Sequence, residues 1–360
     1  MKTTLYSLLA AAAACGLASA QTAYTTPVGY MTVPLPGTGG GAPQLQLANQ
    51  GLLPNGPAAA GGGASVTFSG TTMTDTDGAW AAGNYVQANG QVSHLLEITS
   101  DGSLKGAMTW ITGTGVQTIT TVDNVSAAGA GASYRIWQAY TIASLLGNPP
   151  TDAVLKPAAD VATADNVQIY DPVTNLYTTF FYKTATKVAP AAWQSSDGTI
   201  PVPANYAIHP NDGLLFLRKQ SGDGSLVVTG SVKDGQTQAL VQGNVAPGAN
   251  TLNIIANQVP VQQVTLGNSG LFTGDPATGV KAAADVASAD NILVYNPTTD
   301  LYTTFFYKTA TKVAPAAWQS SDPAITNPTN YLLPSDQSVL LIRKSGDSFS
   351  WKIPSVSIGN

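Results

Sequence analysis

The chain is almost without sulfur chemistry: its single cysteine, Cys15, lies in an N-terminal stretch with the character of an export leader. Once that stretch is removed, no thiol, disulfide or thiolate metal site remains, and stability must come from packing. Charge is scarce as well. Asp, Glu, Lys and Arg make up 10% of the residues, against roughly 25% in ordinary globular proteins. Glu97 is the lone glutamate among 20 acidic residues. Glu favours helices, whereas Asp, Gly, Pro, Asn and Thr favour turns and strands, so the composition argues for an all-β protein. The net charge of −5 is spread without blocks of either sign. With no basic patch, nucleic acid and anionic membrane are not expected partners. No apolar run approaches the roughly 20 residues that a membrane-spanning helix needs.

What is present at the N-terminus is Met1-Lys2, an apolar run from Leu5 to Ala14, and Ala18-Ser19-Ala20 before Gln21. A charged start, a short apolar stretch and a small-residue cleavage site constitute a secretory signal. The expected mature chain starts at Gln21, and its place is periplasmic, cell-surface or extracellular. Lipidation of Cys15 is the rival reading, and Ala12-Ala13-Ala14 before it is a poor match to such a site. No apolar tail marks an anchor between Ser355 and Asn360.

The dominant feature of the rest is a repeat. Leu176 to Asp197 recurs without a change as Leu301 to Asp322, 22 residues set 125 positions apart. Lys156 to Asn175 matches Lys281 to Asp300 at 12 of 20 positions, and Gly198 to Lys219 matches Pro323 to Lys344 at only 7 of 22. A core accounts for shared aromatics but not for agreement at Gln194-Ser195-Ser196. Either both tracts meet the same partner or gene conversion made them alike.

Turn and strand signals divide the chain into a leader (1–20), a first strand with a Gly/Pro/Ala-rich flexible linker (21–64), an inserted small β module (65–123), a first repeat unit (124–232) and a second (233–360). The linker reading rests on the low complexity of Pro34 to Ala64. The module rests on five short alternating bursts, Ser65 to Phe68, Tyr85 to Gln87, His94 to Ile98, Ala107 to Ile111 and Val116 to Val122, separated by turn signals. In each unit a strand ending in Tyr170 or Tyr295 turns through Asp171-Pro172 or Asn296-Pro297 into the identical strand. Val261 to Leu266 is expected as a strand, and Ala158 to Ala164 and Ala283 to Ala289 as one or two helical turns. The fold class expected is all-β: two related β-sandwich or barrel-like units, with a small barrel-like insertion in the first.

Tyr-Asp-Pro-x-Thr-Asn is similar to a kelch hairpin, but kelch blades recur about every 50 residues, so a propeller is rejected. Leu252 to Asn257, Ala289 to Leu293, Tyr302 to Tyr307, Trp318 and Leu340 to Lys344 together resemble the repeats of a family of exported bacterial proteins of unknown function. That resemblance implies an all-β envelope or extracellular protein and brings no catalytic residues.

His94 and Glu97 would point to opposite faces of a strand, and His209 is replaced by Pro334 at the matching position of the other copy. Asp75-Thr76-Asp77-Gly78 lacks the remaining ligands of a calcium loop. Nucleophile-elbow, phosphate-loop and dinucleotide motifs are absent. Asp160, Asp165 and Asp197, with Asp285, Asp290 and Asp322, sit where capping or turn formation explains them. The candidate ligand contacts are therefore Tyr177, Phe181, Trp193 and Asp197 in the first tract and Tyr302, Phe306, Trp318 and Asp322 in the second. Their rings would stack on sugars if one face of the strand is open. The expectation is a non-catalytic structural or adhesive protein without cofactor, with a cell-surface polysaccharide or further copies of itself as partner. A carbohydrate-binding protein is the alternative, and a secreted hydrolase the third.

Overall fold

The computed structural model describes residues 28–233, 235–244, 249–256, 264–296, 299 and 301–354. The expected leader, residues 1–20, lies outside the described residues. Among the described residues, twenty-one strands and one short α-helix make the fold all-β.

The first unit is a sandwich. Strands β10 (Asn166–Asp171), β11 (Leu176–Lys183), β12 (Ala192–Ser195), β13 (Leu214–Arg218) and β2 (Gln44–Ala48) form an antiparallel sheet in the order β12-β11-β10-β13-β2. A two-stranded sheet of β1 (Val28–Leu35) and β14 (Gly224–Ser231) covers it. Alternation sends Val167, Ile169, Phe180, Leu214 and Phe216 inward to meet Val33, Leu35, Leu226 and Val228 in one core.

The second unit repeats the plan. Strands β16 (Thr251–Ala256), β17 (Asn291–Asn296), β18 (Leu301–Lys308), β19 (Ala317–Ser320) and β20 (Ser338–Arg343) line up as β19-β18-β17-β20-β16, and β15 (Thr237–Val241) pairs with β21 (Phe349–Ile353) over them. Register is kept across the two units: Tyr170 pairs with Tyr177 as Tyr295 pairs with Tyr302, and Tyr182 with Trp193 as Tyr307 with Trp318.

Between β2 and β10 the first unit carries a nearly closed seven-stranded sheet, in the order β3 (Ala59–Gly61), β9 (Tyr134–Gln138), β6 (His94–Ile98), β7 (Met108–Thr114), β8 (Thr118–Thr121), β5 (Thr72–Asp75) and β4 (Val66–Ser69). It holds its own core around Ile98, Ile111, Ile119 and Tyr134. The returning chain forms helix α1 (Ile142–Leu146), started by a capping box in which Thr141 and Ser144 satisfy each other's backbone amides. It buries Ile142, Leu145 and Leu146 in the first sandwich.

Several local expectations are corrected. The stretch read as a flexible linker holds β2, whose Leu47 and Ala48 are fully buried; alternation in Gln44 to Ala48 outweighs the Gly and Pro around it. The inserted sheet is wider than 65–123 at both ends, because β3 and β9 close it. Tyr85 to Gln87 is not a strand: turns at Gly83 and Gly90, both with positive φ, leave only an isolated bridge between Val86 and Val92. Ala158 to Ala164 and Ala283 to Ala289 hold one i→i+4 turn each, with the Ala164 amide on the Asp160 carbonyl and the Ala289 amide on the Asp285 carbonyl, and the Asp160 and Asp285 carboxylates accept from the Thr163 and Ser288 amides. Of Val261 to Leu266, residues 261–263 lie outside the described residues, and Thr265 makes only an isolated bridge to Leu332.

The two units meet through reciprocal bonds. The Asn49 amide donates to the Asp336 carbonyl at 3.2 Å, and at the matching place the Ala256 amide donates to the Asn211 carbonyl at 2.8 Å. Leu47, Tyr170 and Leu215 on the outer face of the first sheet pack against Ile254 and Tyr295 of the second. Such mutual contacts are those of an approximate two-fold axis. The inserted module is tied on by buried Glu97, which accepts from the Trp137 indole at 2.6 Å and pairs with Lys233 at 2.9 Å, just before β15.

Candidate functional site

The identical strand divides its rings between two environments. Phe180 and Tyr182 point into the sandwich, and Trp193 joins them, 2% exposed, its ring edge-on to Tyr182 at 5.5 Å. Trp318 is 4% exposed and meets Tyr307 the same way at 5.4 Å. Tyr177 and Phe181 belong to the opposite, outer face. A sugar platform joining Tyr177 and Phe181 to Trp193, or Tyr302 and Phe306 to Trp318, is therefore not formed, because the pleat separates them. Burial closes both indoles to a ligand.

On the outer face, Tyr177 is 41% and Tyr302 37% exposed, resting on Tyr170 and Tyr295 at ring separations of 4.8 and 5.1 Å. Phe181 and Phe306 are half-buried, opposite Gln194 and Gln319. Asp197 and Asp322 hold turns: Asp197 Oδ1 accepts from the Thr199 amide and hydroxyl, and Asp322 Oδ1 from the Ala324 amide. The Thr199 bonds keep the Asp197 carboxyl below its ordinary range.

The loops that follow the strands are exposed throughout, Thr184 to Ala191 in one unit and Thr309 to Ala316 in the other. Each is closed by the same bond, Thr186 to Ala189 and Thr311 to Ala314, both 2.8 Å. Each raises a valine into solvent, Val188 at 94% and Val313 at 95% exposure.

Asp165 and Asp290 do more than shape turns. Arg218 lies 3.6 Å from Asp165, Arg343 bonds to Asp290, and all four side chains are fully buried. Each carboxylate also receives backbone amides, Lys156 and Lys219 on Asp165, Lys281 and Lys344 on Asp290. Sequence reasoning gave these acids a turn and missed the arginine, 53 residues away in both copies.

A second site was missed altogether. Where the inserted module and the two units converge there is a cavity of about 380 Å³. The module contributes Leu104, Met108 and Val125, the first unit His209 and Asp212, and the second unit Gln242 and Ile254. His209 packs edge-on against Trp110 at 5.3 Å, and its Nδ1 accepts from the Asn211 amide at 3.1 Å. Burial pushes His209 down to about 4 and Asp212 up to about 7. The signal available was divergence: His209, Asn211 and Asp212 stand where the other copy has Pro334, Asp336 and Gln337.

Among the described residues, no group of three or more metal-ligating side chains converges, and no helix is long and apolar enough to cross a membrane. Comparison with family models, curated proteins and solved structures finds no match.

Proposed function

We propose that the chain is an exported, non-catalytic structural or adhesive protein that offers one recognition surface twice. The observation behind this reading is the identity of Thr184 to Ala191 with Thr309 to Ala316 in loops exposed along their whole length. Packing constrains buried positions and leaves such loops free to diverge. A partner that repeats, such as an envelope polymer or an ordered layer of the same chain, engages both loops at once, and the second contact then benefits from a high effective concentration. The test is retention of the mature chain, expected to begin at Gln21, on purified envelope material, together with its sedimentation behaviour. A chain that is neither retained nor self-associating contradicts the proposal.

A carbohydrate-binding reading has its own support in Tyr177 with Phe181, and Tyr302 with Phe306, on the outer sheet faces. Aromatic rings of this kind stack on sugar faces, and Gln194 and Gln319 stand beside them to meet hydroxyls. Under this reading glycan binding is lost on changing Tyr177 and Phe181 and is indifferent to Val188.

A further inference from the structure

The cavity at the junction of the inserted module with the two units is built for a ligand of a particular charge. Its volume, about 380 Å³, lies within the range of small-molecule sites, and a place between domains is where such sites concentrate. Its walls combine apolar side chains, Leu104, Met108, Val125 and Ile254, with a few polar ones. At its lining Val173 and Leu240 are 59% and 61% exposed, apolar surface that an incoming molecule covers.

The charges are one-sided. Among the described residues, Asp123 and Asp212 are the ionisable acids of the lining, and no lysine or arginine takes part in it. His209 supplies no positive charge at neutral pH: its Nδ1 is held as an acceptor by the Asn211 amide, and burial keeps the ring neutral. The polar residues that line the cavity from the second unit are uncharged, Gln238, Gln242, Asn253 and Ser350. Asp171 adds further negative potential from the first unit. An anion is repelled from such a site. A cation gains a charge-assisted hydrogen bond to a carboxylate that the fold has left without a basic partner.

We propose that this cavity binds a small organic cation, an amine with an apolar body, its ammonium beside Asp212 and its body against Leu104, Met108, Val125 and Ile254. The second unit, which carries no inserted module, has Gln337 where the first has Asp212, so among the described residues the site has no counterpart there, while the loops come in pairs. This inference does not rest on the adhesive reading.

The test uses the intact mature protein and three probes of like size, 2-phenylethylamine, 2-phenylethanol and phenylacetate, with binding followed by calorimetry and by NMR shift mapping. The amine is expected to bind most tightly, by at least about tenfold over the alcohol, and to bind better at about pH 8 than at about pH 6, as Asp212 ionises. Asp212→Asn is expected to remove that preference. Leu240→Arg, which places a cation at an exposed position of the lining, is expected to abolish amine binding in a chain with an unchanged melting temperature, and it serves where the first variant fails to fold. Equal affinity for amine and alcohol, full amine affinity in either folded variant, shifts confined to residues outside the cavity, or no binding of the amine at millimolar concentration would each overturn the proposal.

Discussion

Gly213, the residue just before β13 of the first unit, donates its backbone amide to the Ile254 carbonyl in β16 of the second at 3.1 Å. A Cβ on Gly213 would stand 2.5 Å from the Ile254 side chain and 2.6 Å from the Ser338 hydroxyl. The absence of a side chain is what lets the two sandwiches meet. Gly213→Val is therefore expected to cost about 1–3 kcal/mol through overpacking. Gly222→Ala, with open space around its Cβ, should leave the denaturant midpoint in place. Equal midpoints for the two variants would refute the close-packed junction.

Trp193 and Trp318 are core residues, and each should behave as one. Trp193 also donates its indole N–H to the Gly147 carbonyl at 3.0 Å, just past helix α1. Trp193→Ala and Trp318→Ala are each expected to lose about 3–5 kcal/mol through transfer and cavity terms. Chemical denaturation measures this directly, and a variant as stable as the parent would show the burial to be misjudged.

The buried pairs Arg218–Asp165 and Arg343–Asp290 fasten β13 and β20 to the turns before β10 and β17. Arg343→Met alone leaves Asp290 charged and buried, at a cost of about 3–5 kcal/mol. Arg343→Met with Asp290→Asn removes both charges while leaving an amide oxygen to accept from the Lys281 or Lys344 backbone N–H, and is expected to recover part of that loss. A double variant worse than the single one would contradict this account.

The acid and the histidine of the cavity oppose each other in their pH dependence. Burial raises Asp212 from 3.8 to about 7, so between those values the folded chain keeps a proton that the unfolded chain has released. That contribution is complete below the lower value and is lost as pH rises through the upper one. Burial lowers His209 from 6.5 to about 4, so the unfolded chain is protonated first and stability is lost as pH falls through that window. Over the shared range the two terms offset, and the parent should show a shallow profile. Asp212→Asn should uncover the histidine term, with stability falling below about pH 6.5, and should exceed the parent at about pH 8. Denaturant midpoints across this range decide the point, and identical profiles would count against it.

Much of the fold was legible because the identical strand alternates plainly and each hairpin carries its own turn chemistry at Asp171-Pro172 or Asn296-Pro297. β2 was hidden because its five residues are flanked by Gly and Pro, and only pairing with β13, distant in sequence, makes them a strand. Tyr85 to Gln87 misled for the opposite reason: its alternation suits a strand, but its pairing stops at the single Val86–Val92 bridge. Both faces of the Tyr177 to Lys183 strand read as aromatic, and sequence alone left open which face carries Trp193; the antiparallel pairing of Tyr182 with Trp193 puts the tryptophan inside. The cavity was out of reach because its walls come from three modules, and their convergence is a tertiary fact.

The claim that one surface is offered twice is tested most directly by equilibrium binding to immobilised envelope material, comparing the parent with Val188→Asp, Val313→Asp and the double variant. Both valines are exposed, so the fold tolerates the change. The account predicts that either single variant loses the gain from two-site attachment, about 100-fold, by the same amount, and that the double variant does not bind. Binding by the double variant equal to that of the parent would contradict it, and so would a loss caused by only one of the two single changes.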